Sequence, residues 1–282
     1  MKNIGFIGLG NMGSYMALNL IKSGYNVFGF DVNDSAYDFF KDKSFNKCKD
    51  INEITKVCKI IFTMLPDGKI VRKVWEECLK NININSILID CSTIDVETSI
   101  LLHKKSEEKG IKSLDAPVSG GTIGAKDGTL TFMVGGEKGT FEEIEPYFEI
   151  MGKNYIYCGS GGDGQGNKLC NNLLLAITMT GLGEVIHLAK KLNLNLENLF
   201  DVMSTSTSSC WALNTYCPVK DIGPNSPADN NFKPGFSSSL MLKDLTLALE
   251  ACRKVKFQPE LGGKVQQKYL NLVNSGKGNL DF

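Results

Sequence analysis

Three short stretches of this chain carry residue types whose spacing could do chemistry. In GFIGLGNMG, Gly8, Gly10 and Gly13 stand in the spacing G-x-G-x-x-G, with Leu9, Asn11 and Met12 between them. Gly8 permits a tight turn, Gly10 lets the backbone approach a pyrophosphate, and Gly13 lets a helix pack closely on a strand. The N-terminus of a helix opening there offers unpaired N–H groups and a dipole to the phosphates. Asp31, 18 residues beyond Gly13, ends the next apolar run. A carboxylate at that place accepts hydrogen bonds from the adenosine ribose and repels a 2′-phosphate, which predicts NAD rather than NADP. The plainer reading of Asp31 is a turn residue before Val32-Asn33-Asp34.

The second stretch is APVSGG, residues 116–121, directly after the apolar IKSLD. Pro, Ser and two glycines pack nothing; they leave a hydroxyl and backbone N–H groups for something small and anionic. The third is GDGQGNKLCNN, residues 162–172, where a Gly-rich lead opens a helical pattern with Lys168 and Asn172 one turn apart on one face. A lysine in an otherwise apolar helix is costly unless it snorkels or works. Desolvation lowers an ammonium's pKa, which would suit Lys168 to acid/base work near neutral pH. On spacing alone, a surface lysine near a helix start is the better reading.

These residues need elements to hold them. The first half alternates short apolar runs (3–7, 26–30, 59–64, 86–90, 111–114, 129–134 and 155–158) with helical stretches at 12–22, 67–79, 95–109 and 140–150. Such alternation implies βαβ units and a mostly parallel sheet. In a doubly wound sheet a ligand lies outside the carboxyl ends of the strands, so Leu65, Pro66, Ser92 and Thr93 are expected to border a dinucleotide. Thr93 also suits the N-cap of the helix from Asp95. After residue 163 the strand signals stop. A long helix is expected from near Gly166 through Leu192, with apolar residues all round it, then helices at 196–204 and 239–256. The fold class expected is α/β: a Rossmann-type domain at 1–163, then an all-helical domain at 164–282 that begins with the long helix.

Composition narrows the function classes. Lys+Arg and Asp+Glu balance at 31 each, with no basic block, so neither nucleic acid nor an anionic membrane surface is indicated. Nine scattered cysteines without a CxxC pair point to reduced thiols, and two histidines, His103 and His187, offer no metal cluster. Both histidines read as structural. The run at 173–183 is too short and Gly-interrupted to span a bilayer. A soluble intracellular protein is expected, cytoplasmic as it stands and mitochondrial if a leader has been removed.

GFIGLGNMGSYMALNL, DAPVSGG, GQGNKLCNN and GFSSSLMLKDL, in that order, resemble the β-hydroxyacid dehydrogenases. CWALNTYCPV and the loop into PGF are similar to the branch that acts on 3-hydroxyisobutyrate. The resemblance covers nearly the whole chain. It implies NAD-dependent oxidation of 3-hydroxyisobutyrate to methylmalonate semialdehyde, a step of valine breakdown, in a homodimer or homotetramer and without a metal. It further implies that Lys168 is the catalytic acid/base and that Asn172 assists it. Ser119, Gly120 and Gly121 would hold the substrate carboxylate, and Lys243 would stand at the mouth of the cofactor site, oriented by Asp244. The chain stops at Asp281-Phe282, where that family continues for several residues. Tartronate or succinate semialdehyde are alternative substrates. A 6-phosphogluconate dehydrogenase would carry His where Asn171 stands. A non-catalytic relative would have lost the lysine, whereas here Lys168 stands with an intact Ser119-Gly120-Gly121.

Overall fold

The computed structural model describes residues 2–41 and 44–282. By contacts the chain divides into two compact units, Met1–Lys168 and Leu169–Phe282. The first unit runs β1 (Asn3–Ile7), α1 (Gly13–Lys22), β2 (Asn26–Phe30), β3 (Phe45–Lys47), α2 (Ile51–Val57), β4 (Ile60–Thr63), α3 (Gly68–Asn81), β5 (Ile87–Asp90), α4 (Val96–Glu107), β6 (Lys112–Asp115), β7 (Val118–Ser119), α5 (Gly121–Asp127), β8 (Leu130–Gly136), α6 (Lys138–Met151) and β9 (Gly152–Gly159). The strands form one sheet in the order β3-β2-β1-β4-β5-β6-β8-β7, with β9 beside β8. From β3 to β6 every neighbour pair is parallel, while β8 runs antiparallel to both β6 and β7. The strand order reverses between β1 and β4, which is where such sheets open a crevice.

Alternate side chains along each strand supply the two faces of this sheet. Ile4, Phe6, Phe62, Ile87 and Ile89 enter a core with Met16 and Leu20 of α1 and Ile144 and Phe148 of α6. Ile7, Ile61 and Leu88 point the other way, to Ile54 of α2, Trp75 of α3 and Leu102 of α4. Both faces are covered, so the central strands read as unbroken apolar runs. The short strands β3 and β7 escape the sequence reading because two or three residues carry no periodicity.

The second unit takes in most of α7 (Asp163–Lys191), then α8 (Leu196–Thr205), α9 (Trp211–Asn214), α10 (Ser238–Lys254) and α11 (Glu260–Leu272). Helix α7 begins at Asp163, a turn earlier than expected. Gly162 and Gly164 are close-packing positions: a Cβ on Gly162 would lie 2.7 Å from Ile100 Cγ1 and one on Gly164 2.4 Å from the Met133 carbonyl, whereas Gly166 has open space around it. Helix α11 was not expected, and its Gly262 likewise serves packing, 3.1 Å from Leu173 Cδ1 to a built Cβ.

Ala176 of α7 packs on Met241 and Leu245 of α10 and Val265 and Tyr269 of α11. The apolar run at 173–183 is short, yet the whole helix is long and apolar enough to cross a membrane by length and composition alone, which corrects the expectation that it could not. Only 28% of its most apolar window is buried within the chain, and Leu174, Val185 and Leu188 stand exposed. The final residues are tied down. Asp281 Oδ2 accepts from the backbone N–H groups of Gly235 and Phe236 at 2.8 and 2.9 Å and from the Tyr216 hydroxyl at 3.2 Å. Phe282 stacks on Tyr216.

All nine cysteines are free thiols. Cys48, Cys58, Cys78, Cys91 and Cys217 are buried, whereas Cys170 is exposed. Burial pushes the thiol pKa of Cys48 up to about 11 and those of Cys58 and Cys78 to about 12.

Candidate functional site

The glycine loop between β1 and α1 is built as its spacing predicts. Gly8 has φ +93°, and a Cβ there would lie 2.2 Å from the Met64 carbonyl and 3.0 Å from Leu65 Cδ2. Leu65 therefore borders the loop directly. A Cβ on Gly13 would lie 2.0 Å from the Gly8 carbonyl, so turn and helix approach as only glycine allows. Around Gly10 the space is open for 4 Å. Helix α1 has Met12 at its N-cap with no side-chain cap bond and no acidic residue in its first turn. An uncapped helix start facing open space fits a pyrophosphate.

Asp31 follows β2 and reaches back to this loop: its Oδ2 accepts from Leu9 N at 2.7 Å and its Oδ1 from Asn33 N at 2.8 Å. Each carboxylate oxygen has a second lone pair, so the group can still accept from ribose hydroxyls. The Tyr37 hydroxyl fixes the Asp31 backbone at both N and O. The nearby Lys47 ammonium is engaged by Asp34 at 2.8 Å and stands over the Tyr37 ring. The residues present thus fit an adenosine dinucleotide with a free 2′-hydroxyl.

The ends of β4 and β5 are joined by a buried polar cluster that the sequence did not reveal. Asp90 Oδ1 accepts from Thr63 Oγ1 (2.7 Å), Ser92 Oγ (2.6 Å) and Ser92 N (3.2 Å). The Ser92 hydroxyl in turn accepts from Leu65 N at 2.8 Å, and Trp75 donates to Thr63 Oγ1. Through it, the segments holding Leu65-Pro66 and Ser92-Thr93 form one rim. Burial raises the Asp90 carboxyl to about 7, and its Oδ2 has no hydrogen-bond partner among the described residues. Thr93 is not the cap of α4: Asp95 is, accepting from Thr98 N at 2.8 Å, because its carboxylate falls at the N-cap position itself.

Ser119 lies on β7, paired with Thr131 of β8. Gly120, with φ +124°, turns the chain sharply into α5, whose start has no side-chain cap. That is the arrangement of a hydroxyl beside uncapped N–H groups expected of an anion cradle. Lys168 is on α7 and only 6% exposed, which removes the surface-lysine reading.

One turn on, Asn172 is buried and donates through Nδ2 to Asp244 Oδ2 at 2.6 Å. The other oxygen of Asp244 lies 3.4 Å from Lys243 Nζ. Asp244 is itself 2% exposed, so α10 brings Asn172 and Lys243 together through one buried carboxylate. Lys243 and Asp244 are adjacent in the chain, but the partner on α7 lies 72 residues away.

The comparisons with known proteins agree over the whole chain. Residues 3–159 match a family model described as the NAD binding domain of 6-phosphogluconate dehydrogenase, and residues 162–282 match one described as the NAD-binding domain of NADP-dependent 3-hydroxyisobutyrate dehydrogenase. The mitochondrial 3-hydroxyisobutyrate dehydrogenase of Drosophila melanogaster is 40% identical over 100% of this chain and 87% of its own length. The human mitochondrial enzyme is 39% identical over 99% of this chain and 84% of its own. Among solved structures, the Mycobacterium tuberculosis 3-hydroxyisobutyrate dehydrogenase with L-serine has a TM-score of 0.95 at 40% identity, covering 100% of this chain and 96% of that one. The chain belongs to the 3-hydroxyisobutyrate dehydrogenase family and is an oxidoreductase that uses a nicotinamide dinucleotide.

Proposed function

We propose that this protein oxidises 3-hydroxyisobutyrate to methylmalonate semialdehyde, with Lys168 taking the hydroxyl proton. The observation that carries this reading is the burial of Lys168 near the start of α7, in a chain whose first unit fits a dinucleotide. NAD+, when bound, accepts the hydride from the carbon that bears the hydroxyl. Lys168 then needs to do two things: hold that hydroxyl oxygen by a hydrogen bond and remove its proton as the carbonyl forms. In the reverse direction the ammonium returns the proton.

The cofactor is assigned to Gly8, Leu9, Gly10, Asn11, Met12, Gly13, Asp31, Leu65, Pro66, Thr93 and Lys243. The Ser119 hydroxyl and the N–H groups of Gly120 and Gly121 suit the substrate carboxylate. Asn172, held by Asp244, has its amide fixed and is assigned to the substrate as well. With Lys243 and the Ser119-Gly120-Gly121 segment as the exceptions, the cofactor role is assigned to residues 1–163 and the substrate and self-association roles to 164–282. The apolar stripe Leu174, Val185 and Leu188 supports a homodimer or homotetramer, since these residues repeat on one face of α7.

The test is NADH absorbance with 3-hydroxyisobutyrate, L-serine, tartronate-type and 4-hydroxybutyrate substrates, each with NAD+ and NADP+. L-Serine shares the carboxylate and 3-hydroxyl and is therefore the sharpest competitor. Preference for 3-hydroxyisobutyrate with NAD+ supports the reading, while preference for another acid moves the substrate and leaves Lys168 its role. No turnover of any of them by protein that binds NADH would overturn it.

A further inference from the structure

We infer that Gln165 and Asp115 are positioning residues for Lys168, fixing the first turn of its helix to the rim of strand ends that borders the cofactor. This rests on the catalytic reading of Lys168. Asp115 ends β6 and is 2% exposed. Its Oδ1 accepts from Gly162 N and its Oδ2 from Gln165 N, both at 2.8 Å. The carboxylate thus caps α7 from outside, satisfying N–H groups that have no partner within the helix and complementing its dipole. On its other side, Asp115 Oδ1 meets His103 Nε2 at 2.9 Å, and His103 Nδ1 meets Ser113 Oγ at 2.8 Å. Gly164 makes the approach possible, since a Cβ there would stand 2.7 Å from Asp115 Oδ2.

Gln165 is wholly buried and uses both ends of its amide. Its Oε1 accepts from Ile94 N at 3.0 Å and its Nε2 donates to the Ser92 carbonyl at 2.7 Å. Ser92 is the residue whose hydroxyl holds Leu65 N and Asp90. The first turn of α7 is therefore locked in translation by the Asp115 cap and in rotation by Gln165. Lys168, three residues on, shares the Gln165 side of the helix. Neither residue needs to touch substrate. Proton transfer is steeply sensitive to placement, and a displacement of ~1 Å can cost about 10²-fold.

Gln165→Leu and Gln165→Glu, each in the full chain, test this against Lys168→Ala. Gln165→Leu should lower kcat about 10²-fold, with KM and the NADH dissociation constant within about twofold. Gln165→Glu keeps the acceptor for Ile94 N but can donate to the Ser92 carbonyl only when protonated. Its kcat relative to wild type should therefore rise as pH falls from about 8 to about 6, a window set by the unperturbed carboxyl and the raising effect of burial. The titratable groups linked to that position are Asp115 on β6, bonded to Gln165 N, Lys168 one turn on along α7, Asp90 on β5 through Ser92 and His103 on α4 through Asp115, so the Leu variant is scanned alongside to subtract their contribution.

A group that only stabilises the fold would lower Tm while leaving kcat per folded molecule unchanged and the pH ratio flat; that result overturns the inference while Lys168→Ala remains inactive. Should the Leu variant fail to fold, the pH ratio of the Glu variant decides alone. Full turnover by Lys168→Ala overturns the catalytic reading and this inference with it.

Discussion

The two units of the chain bury their side chains differently. In the first, a sheet covered on both faces takes Phe6, Phe62, Phe132, Phe148 and Trp75 almost wholly out of water. In the second, α8 has no buried residue at all, and large apolar side chains on α7 remain exposed. A two-faced sheet completes its own core, and its polar atoms gather where the strands end. A set of helices with narrow apolar clusters does not close on itself, and it leaves a stripe that suits a second copy of the chain. The difference also sorts the chemistry. In the first unit buried polar side chains gather at strand ends, as in Thr63, Asp90 and Ser92, while in the second Asn172 and Asp244 link two helices.

The largest effect that probes this contrast is at the helix both units share. Lys168→Ala should reduce kcat by about 10³-fold or more while NADH still binds, because Lys168 is not among the residues proposed to hold the cofactor. Stopped-flow turnover with NADH fluorescence titration separates the two. Next comes Asp281→Ala, which strands two backbone N–H groups and the Tyr216 hydroxyl. A cost of about 2–3 kcal/mol is expected, confined to the second unit. Hydrogen exchange should show Gly235, Phe236 and their neighbours losing protection while β1, β4 and β5 keep theirs.

An effect of similar total size, spread over about three pH units, lies at Asp90. Its carboxyl is raised from 3.8 to about 7, chiefly by burial and then by nearby Asp115. The protonated form is the one the fold favours, so its contribution is full below 3.8 and is lost as pH rises through about 7. Asp90→Asn resembles the protonated acid. Wild type should lose about 1 kcal/mol per pH unit relative to that variant across the window, as followed by Tm. Smallest in stability is Leu188→Glu, at an exposed position: within about 0.5 kcal/mol by denaturation. Light scattering should nonetheless show the assembly shifting to smaller species, which would tie the open stripe of the second unit to self-association.

What could be read from the sequence was whatever is local. The central strands declared themselves by unbroken apolar runs, and the glycine loop by a spacing of five residues that geometry makes intelligible. Helical spacing put Lys168 and Asn172 on one face, while their roles came from the family resemblance. The contacts that hold them lie beyond that spacing. Asp115 meets Gly162 from 47 positions away, and Asp244 meets Asn172 from 72. Asp115 had no visible reason to matter, and the link from Asp244 to Asn172 was not legible, because burial is decided by packing and not by neighbours in the chain. The start of α7 was misplaced for the same reason: Gly164 is there for the carbonyl of Met133 and the carboxylate of Asp115. Only the Asp90-x-Ser92 spacing, an Asx-turn pattern, offered a local hint of the rim cluster.

The scattered thiols give the chain a set of internal clocks. Cys170, exposed two residues beyond Lys168, meets an alkylating reagent at once. Cys48, Cys58, Cys78 and Cys91 are shut inside the first unit and Cys217 inside the second. Their raised pKa values make them sluggish until burial is lifted. Mass spectrometry of timed labelling would therefore read the opening rate of each unit separately in a single untagged sample, with Cys170 as the zero of time.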